Sequence, residues 1–359
     1  MQNCLCVNRA DLLHNARLVQ EQVKTPIIAV VKCNGYGVSL ALAAEAWYAS
    51  GVRFFGVSEP QEALALRTLY DDIQILLMSP VAEPQTILAL AENNIIFTVT
   101  SADSAQTLLQ CAGENVVCAH VKIDTGMGRF GIRHDDLAAL DALYAVQGIN
   151  YSGIFSHFAL SFEAAYGQTK TQLARFQAAL DYLDGKGIAA GLRHIANSAA
   201  AIRFPETRLD AVRIGSALVG RLAAQTTLPL KKVGTFHAQV VGIIELKKGD
   251  TSGYGQVYTA PRGIRAAVVA IGTCHGFGLV RVNDTSRVID ILRNLYHDLR
   301  AYKKPMTLQY QGRRIPVLGR VGNQYTLVDT AGTDIQIGST LEAPVNILMV
   351  DSAVERAAE

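Results

Sequence analysis

Eight short apolar segments alternate with amphipathic stretches over residues 26–214 and restrict the fold more than any other feature of this chain. The strand-like segments are 26–31, 52–57, 73–78, 94–99, 116–123, 149–155, 190–195 and 209–214. Helix-like stretches between them are 39–50, 59–70, 83–92, 101–112, 135–147 and 165–186. This alternation predicts parallel strands joined by helices, and eight of them predict a (β/α)8 TIM barrel. A doubly wound open sheet stays as the alternative, because strand counts from sequence err by about one or two.

The pattern changes after about residue 225, where short strand-like segments follow one another without intervening helices. These segments are 234–246, 264–271, 306–310, 314–321 and 325–329. One amphipathic helix, at 287–301, interrupts them. The pattern is typical of a mainly β domain, and 359 residues suffice for two domains. We expect a barrel domain over 9–225 and a mainly β C-terminal domain over 226–359 that includes residues 1–8.

Composition excludes several classes of protein. The formal charge is +2 and no basic stripe appears, which is evidence against nucleic-acid binding. No apolar run is long enough to span a membrane, and the first residues lack a signal pattern, so we expect a cytoplasmic protein. The six cysteines show no CxxC pair and no clustering with histidine in the sequence. We interpret them as reduced thiols and predict no metal site.

Lys32 follows the first predicted strand, in AVVKCNGYG (29–37). Burial at a strand end would depress the pKa of its amine and make the amine a nucleophile. Such an amine can form a Schiff base with an aldehyde cofactor, of which pyridoxal phosphate is the commonest. The alternative is a lysine whose side chain reaches from the strand end to solvent.

Polar side chains follow other strands of the predicted barrel at their carboxyl ends, where active sites of such barrels form. They are Tyr36, Lys122, Asp124, Arg129, His157, Asn197, Ser198, Arg213 and Ser216. The Ser198 hydroxyl and the backbone N–H groups at Gly215 and Ser216 are suited to a phosphate. The alternative for Asn197 and Ser198 is that they only cap a helix.

These residues lie in stretches through which the chain resembles the alanine racemase family of fold-type III pyridoxal-phosphate enzymes. The matching stretches are AVVKCNGYG (29–37), HVKIDTGMGRFGI (120–132), SHFA (156–159), HIANSAA (194–200), VRIGSALVG (212–220) and GYGQVYTA (253–260). The resemblance implies that Lys32 carries pyridoxal 5'-phosphate and that Lys32 and Tyr254 are the two acid/base groups. Tyr254 would act in the active site of a partner subunit, which implies a head-to-tail homodimer with shared sites.

The resemblance also implies roles for the polar side chains around the cofactor. Arg213 would face the pyridine nitrogen, and His157 would orient that side of the ring. Arg129 would lie near the substrate carboxylate. In some family members the lysine that matches Lys122 is carbamylated and steadies this arginine. The residues implied to hold the phosphate, or to lie beside it, are Tyr36, Asn197, Ser198, Gly215 and Ser216.

The C-terminal stretches depart from the family pattern at the wall that faces the substrate. Thr273 and His275 stand where the family has tyrosine and aspartate, and Gly322 or Asn323 stands in place of a methionine. With Cys274, these residues imply a larger, more polar pocket. We therefore expect a racemase that interconverts L- and D-amino acids, with a substrate that is not simply alanine. Two alternatives stay open: another reaction on an amino-acid derivative (epimerisation, decarboxylation or elimination), or a non-catalytic pyridoxal-phosphate protein.

Overall fold

The computed structural model describes residues 3–162, 166–222, 224–279, 288–302 and 306–359. The chain divides into two compact units. The first is Arg9–Val233, and the second combines Met1–Asn8 with Gly234–Glu359. Strand β1 (Cys4–Val7) therefore belongs to the second unit although it comes first in the sequence.

The first unit is a barrel of parallel strands. They are β2 (Ile27–Val30), β3 (Phe54–Val57), β4 (Gln74–Leu77), β5 (Phe97–Val99), β6 (Val117–Asp124), β8 (Ile149–Phe155), β9 (Leu192–His194) and β10 (Val212–Ile214), with a short β7 (Ile132–Arg133) beside β6. The pairing order is β10-β2-β3-β4 in one sheet and β5-β6-β8-β9 in another. A parallel bridge between Leu76 and Ile96 joins the sheets on one side. On the other, the Arg213 N–H donates to the Ala196 carbonyl over 2.9 Å. The predicted (β/α)8 barrel is confirmed.

Helices connect the barrel strands. They are α1 (Arg9–Val23), α2 (Lys32–Tyr36), α3 (Leu40–Ala49), α4 (Pro60–Leu69), α5 (Pro84–Glu92), α6 (Ala102–Cys111), α7 (Leu137–Tyr144), α8 (Gly167–Gly185) and α9 (Ser198–Arg203). Local sequence fixes where several begin. Pro60 and Pro84 occupy first-turn positions, where their missing N–H costs nothing. The Ser101 hydroxyl accepts a hydrogen bond from the Ser104 N–H over 3.1 Å and caps α6.

Large apolar side chains are buried in the first unit. Phe55, Phe97 and Phe155, on β3, β5 and β8, are at most 1% exposed. Burying each contributes about 1.5–3 kcal/mol relative to leaving it in water. Because the strands are parallel, this core fixes all their carboxyl ends at one rim of the barrel.

The second unit is mainly β, as predicted. Its further elements are β11 (Gly234–Leu246), β12 (Thr251–Ser252), β13 (Tyr258–Thr259), β14 (Ile264–Val269), β15 (Thr307–Tyr310), β16 (Arg313–Pro316), β17 (Thr326–Asp329), β18 (Thr340–Ala343), β19 (Glu355–Ala358) and helix α10 (Val288–Tyr302). The main sheet has the order β16-β15-β18-β11-β1-β19, and β14 pairs with β11 and β17. The predicted amphipathic helix is present as α10. Its apolar side chains at Val288, Leu292 and Leu299 are at least 60% exposed.

Two of the cysteines lie beside a histidine that is distant in the sequence. Cys4 and Cys6 lie on β1 beside His237 of β11, and the three side chains cluster. The sequence alone does not show this cluster, because 231 residues separate Cys6 from His237. Among the described residues, none of the six cysteines forms a disulfide. In the same part of the chain, no helix has the length and apolarity needed to cross a membrane.

Candidate active site

A cavity of about 560 Å³ lies within the first unit, where the barrel strands end. Ten of the residues that the sequence singles out line it together. They are Lys32, Tyr36, Lys122, Arg129, His157, Asn197, Ser198, Arg213, Gly215 and Ser216. The structure thus brings the predicted lysine, the predicted phosphate donors and three other cationic side chains into one space.

Lys32 enters the cavity from the turn after β2 and is half-buried. The four residues after it, Cys33 to Tyr36, all have left-handed backbone conformations, with φ between 51° and 66°. For residues other than glycine this conformation costs roughly 1–2 kcal/mol each. Asn34 holds the turn, because its side-chain oxygen accepts the Leu40 N–H over 2.7 Å. The strained turn brings Tyr36 back to the cavity that Lys32 lines, as backbone strain at functional sites often does.

The predicted phosphate donors meet at Gly215. A Cβ atom there would lie 2.3 Å from the Tyr36 hydroxyl oxygen, so only glycine permits this approach. The Gly215 N–H donates to the Ser198 hydroxyl over 3.1 Å. Asn197 caps α9, since its side-chain oxygen accepts the Ala200 N–H over 3.1 Å. Capping, the alternative role considered for these residues, is therefore realised at Asn197, while Ser198 faces the cavity.

Arg213 lies at the cavity on β10 and is 3% exposed. Its Nη1 donates to His194 Nδ1 over 2.7 Å, and its Nη2 donates to the Ser156 carbonyl and, over 3.2 Å, to His157 Nδ1. Burial lowers the pKa of Arg213 to about 9, which leaves it a cation at neutral pH. Within the described residues its Nε–H has no acceptor. The guanidinium is thus fixed on one side and has one N–H left to offer.

Two histidines to which the sequence patterns assign no role extend this network. His194 Nδ1 can only accept from the guanidinium, so its Nε2 carries the proton and donates to His120 Nδ1 over 2.9 Å. Burial and the Arg213 charge lower the pKa of His120 to about 3 and that of His194 well below its usual value. Both rings are neutral, and the chain of donors fixes their tautomers. Their effect is to hold the orientation of Arg213.

The first prediction tests this support through Gly153 of β8. A Cβ atom there would lie 2.6 Å from His120 Nε2, and that ring cannot move away because it is buried and bonded to His194. Gly153→Ala should therefore lower the free energy of unfolding by about 1–3 kcal/mol. Urea denaturation measures this loss. Gly242→Ala is the matched control, since its Cβ would meet only Val268, at an ordinary 3.7 Å. Equal stability of the two variants would contradict the prediction.

Lys122 is a buried amine among cations. It is 7% exposed, and its Nζ lies 4.1 Å from the centre of the Phe155 ring. Burial, Arg213 and Arg129 lower the pKa of Lys122 well below its usual value, although Asp124 opposes them. A neutral amine can add carbon dioxide to give a carbamate and a proton. The resulting anion would lie near two arginines, which favours it.

A second prediction follows for Lys122. Protein incubated with ¹³C-bicarbonate should show a carbamate signal in its ¹³C spectrum, and Lys122→Ala should lack it. The physical reason is that Arg213 and Arg129, which disfavour a cation on Lys122, favour an anion there. Lys170→Ala, on the exposed surface of α8, is the control and should keep the signal. A signal that survives in Lys122→Ala would assign the carbamate to another amine.

The remaining predicted residues lie in the second unit. The Thr273 N–H donates to the Gly322 carbonyl over 3.0 Å, and the Cys274 N–H donates to the Asn323 carbonyl over 3.1 Å. His275 Nδ1 accepts the Gly272 N–H over 3.1 Å. The five predicted substrate-wall residues therefore form one cluster. Tyr254 begins a single 3-10 turn, Tyr254–Gln256, and its side chain lies outside the described part of the structure.

Two models of one protein family match most of the chain. Residues 7–223 match the family model of the alanine racemase N-terminal domain, and residues 233–353 match that of the C-terminal domain. The alanine racemase of Desulforamulus reducens is 34% identical over 282 residues, which cover 76% of each chain. That of Desulfovibrio desulfuricans is 30% identical over 327 residues, covering 89% of this chain and 82% of the relative.

Solved structures show the same fold. The alanine racemase of Clostridium difficile superposes with a TM-score of 0.88 at 23% identity, covering 100% of this chain and 96% of that one. That of E. faecalis gives 0.84 at 22% identity, covering 100% and 98%. The family models and the curated relatives define a pyridoxal-phosphate-dependent racemase, an isomerase. With both domain models matched, the chain belongs to the alanine racemase family, as the sequence motifs indicate.

Proposed function

We propose that this chain racemises a free amino acid at Cα, with pyridoxal phosphate held at Lys32. The proposal rests on one observation: the Lys32 amine, the buried Arg213 guanidinium and the hydroxyls beside Gly215 line a single cavity of about 560 Å³. Cavities of this size suit small organic ligands. Each group would bind a different part of the cofactor.

The donor set fits the cofactor. The Tyr36 and Ser198 hydroxyls and the backbone at Ser216 would hold the phosphate, in the space that Gly215 leaves open. The amine of Lys32 would hold the aldehyde carbon. When bound, the cofactor supplies a conjugated ring that withdraws electrons from the substrate and so acidifies its Cα–H. Tyr36 is half-buried, and desolvation raises the pKa of its hydroxyl, so it stays a neutral donor.

Arg213 would donate its Nε–H to the ring nitrogen and keep its proton. Since its pKa is about 9, it is charged at neutral pH and does not pass a proton to a weaker base. His194 and the Ser156 carbonyl prevent the guanidinium from turning away. This arrangement limits electron withdrawal by the ring and disfavours side reactions such as transamination. His157, which faces Arg213 and is kept neutral by burial and nearby cations, would steady the same side.

Proton exchange at Cα needs one acid/base group on each face of the substrate. We assign Lys32 to one face and Tyr254 of the partner subunit to the other, which requires a head-to-tail homodimer. Arg129 would bind the substrate carboxylate by charge. Localisation in the cytoplasm stays a prediction from the sequence.

The substrate we propose is larger or more polar than alanine. Thr273 and Gly322 are smaller than the family's tyrosine and methionine, and the Thr273 hydroxyl donates to the Asn323 amide oxygen over 3.3 Å. This wall therefore presents space and hydrogen-bonding groups rather than an aromatic ring and a thioether. Cys274 and His275 add further polar contacts there.

A third prediction tests the reaction and the substrate together. Racemisation of the nineteen chiral common amino acids is assayed in D₂O, and the products are separated by chiral chromatography. At least one larger or polar substrate should have kcat/KM above that of alanine. Each product should carry deuterium at Cα and retain all its carbon. Thr273→Tyr should shift the preference towards alanine by about tenfold or more, the effect of filling a pocket. Thr340→Tyr, on an exposed strand position, is the control.

The possible outcomes separate two questions. Alanine as the sole good substrate would contradict the enlarged wall but leave the racemase assignment standing. Release of carbon dioxide or ammonia, or binding of the cofactor without deuterium exchange, would contradict the racemase assignment itself.

A further inference from the structure

Three metal-ligating side chains meet in the second unit and take no part in the proposed reaction. Cys6 Sγ lies 3.5 Å from Cys4 Sγ and 3.2 Å from His237 Nδ1. All three ligand atoms lie within 4.8 Å of one another. Both cysteines are buried, at 4% and 6% exposure.

Strand pairing explains why residues so distant in sequence meet here. Strand β1 pairs with β11 so that Cys4 lies opposite His237, and Cys6 is on the same face because side chains alternate along a strand. On its other edge β1 pairs with β19, and the Glu359 N–H donates to the Val7 carbonyl over 2.9 Å. Strand register therefore brings the three side chains together.

The spacing matches a tetrahedral metal centre. Zinc binds cysteine sulfur at about 2.3 Å and histidine nitrogen at about 2.0 Å, so neighbouring ligands lie about 3.8 Å (S–S) and 3.5 Å (S–N) apart. The observed 3.5 Å and 3.2 Å fall 0.3 Å short of these edges. A shift of that size needs only small side-chain rotations.

We propose that Cys4, Cys6 and His237 bind a zinc ion. Two thiolates and an imidazole select zinc over magnesium or calcium, which prefer oxygen ligands. Three protein ligands leave the fourth tetrahedral position to a water molecule. The ion would link β1 to β11 in the second unit.

Zinc binds cysteine as the thiolate. Binding zinc would deprotonate Cys4 and Cys6 and release two protons while forming two zinc–sulfur bonds.

A disulfide between the two cysteines fits the strand less well. Residues two apart on a strand have Cα atoms about 6.6–6.8 Å apart, at the upper limit for a disulfide. Bridging them would distort β1, which pairs on both edges. The same three side chains can accept a metal ion without moving the backbone.

The test uses the full-length chain, reduced and stripped of metal with a chelator. Zinc should bind with one ion per chain, and cobalt should give the thiolate charge-transfer band and the intense visible bands of a tetrahedral site. Cys6→Ser and His237→Gln should each weaken zinc binding by at least about tenfold, the usual cost of losing a contact at such a site. Magnesium should not compete. Cys118→Ser, a thiol on barrel strand β6, is the matched control.

The His237 variant keeps the test decisive. His237 is half-buried, so His237→Gln should fold even if loss of a buried cysteine does not. Circular dichroism checks each variant. The neighbouring pair Cys274–His275, with Sγ 3.3 Å from Nδ1, is the competing thiol site. Zinc binding that Cys274→Ser abolishes and Cys6→Ser spares would overturn the proposal, as would the absence of any stoichiometric zinc.

Discussion

Replacing Lys32 by alanine is expected to lower racemisation by about 10⁴-fold or more and to abolish covalent retention of the cofactor. The residue has two roles in the proposed reaction, as the attachment point and as one acid/base group. Removal of an acid/base group alone typically costs about 10²–10⁴-fold. The measurement is turnover of the best substrate, together with borohydride trapping and peptide mapping of the labelled lysine.

Two controls distinguish the loss of the covalent bond at Lys32 from the loss of its charge and from a general effect of removing a lysine. Lys32→Arg keeps a cation at the cavity but cannot form the covalent bond, so it should be as inactive as Lys32→Ala. Lys170→Ala, on the exposed surface of α8, should behave as wild type. Activity above a tenth of wild type in Lys32→Ala, or trapping at another lysine, would contradict the assignment.

The cavity as a whole favours anions, which links several of these residues. Lys122, Arg129 and Arg213 line it together, and Arg213 is buried without a carboxylate partner among the described residues. Clustered cations raise one another's free energy unless negative groups join them. A phosphate, a substrate carboxylate and a carbamate on Lys122 would each supply such a charge. The same arrangement explains why a neutral tautomer is enforced at His157.

The barrel was predictable because its strands are buried on both faces and therefore read as continuous apolar runs. All eight appear within three residues of their predicted bounds. Since active sites form where such strands end, Lys32, Ser198 and Arg213 could be assigned to one rim from the sequence alone. Strand β1 and helix α1 were not predicted, because CLCV is only four residues long and pairs with strands more than two hundred residues away.

Other features depend on contacts that no local pattern records. His120 and His194 lie on separate strands, and only the closed barrel brings their rings within 2.9 Å. The left-handed turn at Cys33 to Tyr36 places two non-adjacent side chains in one cavity, and only Asn34 and Gly35 among its residues are of types that favour this backbone. The cluster of Cys4, Cys6 and His237 arises from strand register alone. The cluster could have been predicted only by noticing that cysteines and a histidine lie on strands that are expected to pair.

Mixing two inactive variants should restore activity if the active sites are shared between subunits. Lys32→Ala and Tyr254→Phe should each lose nearly all turnover, because each removes one of the two acid/base groups. In a hybrid dimer one site carries both lesions and the other carries neither. Random exchange makes about half of the dimers hybrids, so activity should recover to about a quarter of wild type.

The controls for this experiment distinguish activity restored by a shared active site from activity restored by refolding during mixing. Mixing Lys32→Ala with Lys32→Arg should restore nothing, because every site still lacks the amine. A second control mixes wild type with a chain that carries both Lys32→Ala and Tyr254→Phe. Each active site of that hybrid dimer should then have one defective group. In the hybrid of the two single variants, by contrast, both defects fall in the same active site. Hybrids purified through two different affinity tags allow the comparison per dimer. Failure of the purified Lys32→Ala/Tyr254→Phe hybrid to exceed its parents would mean that each subunit supplies both groups itself, and the proposed head-to-tail arrangement would then be wrong.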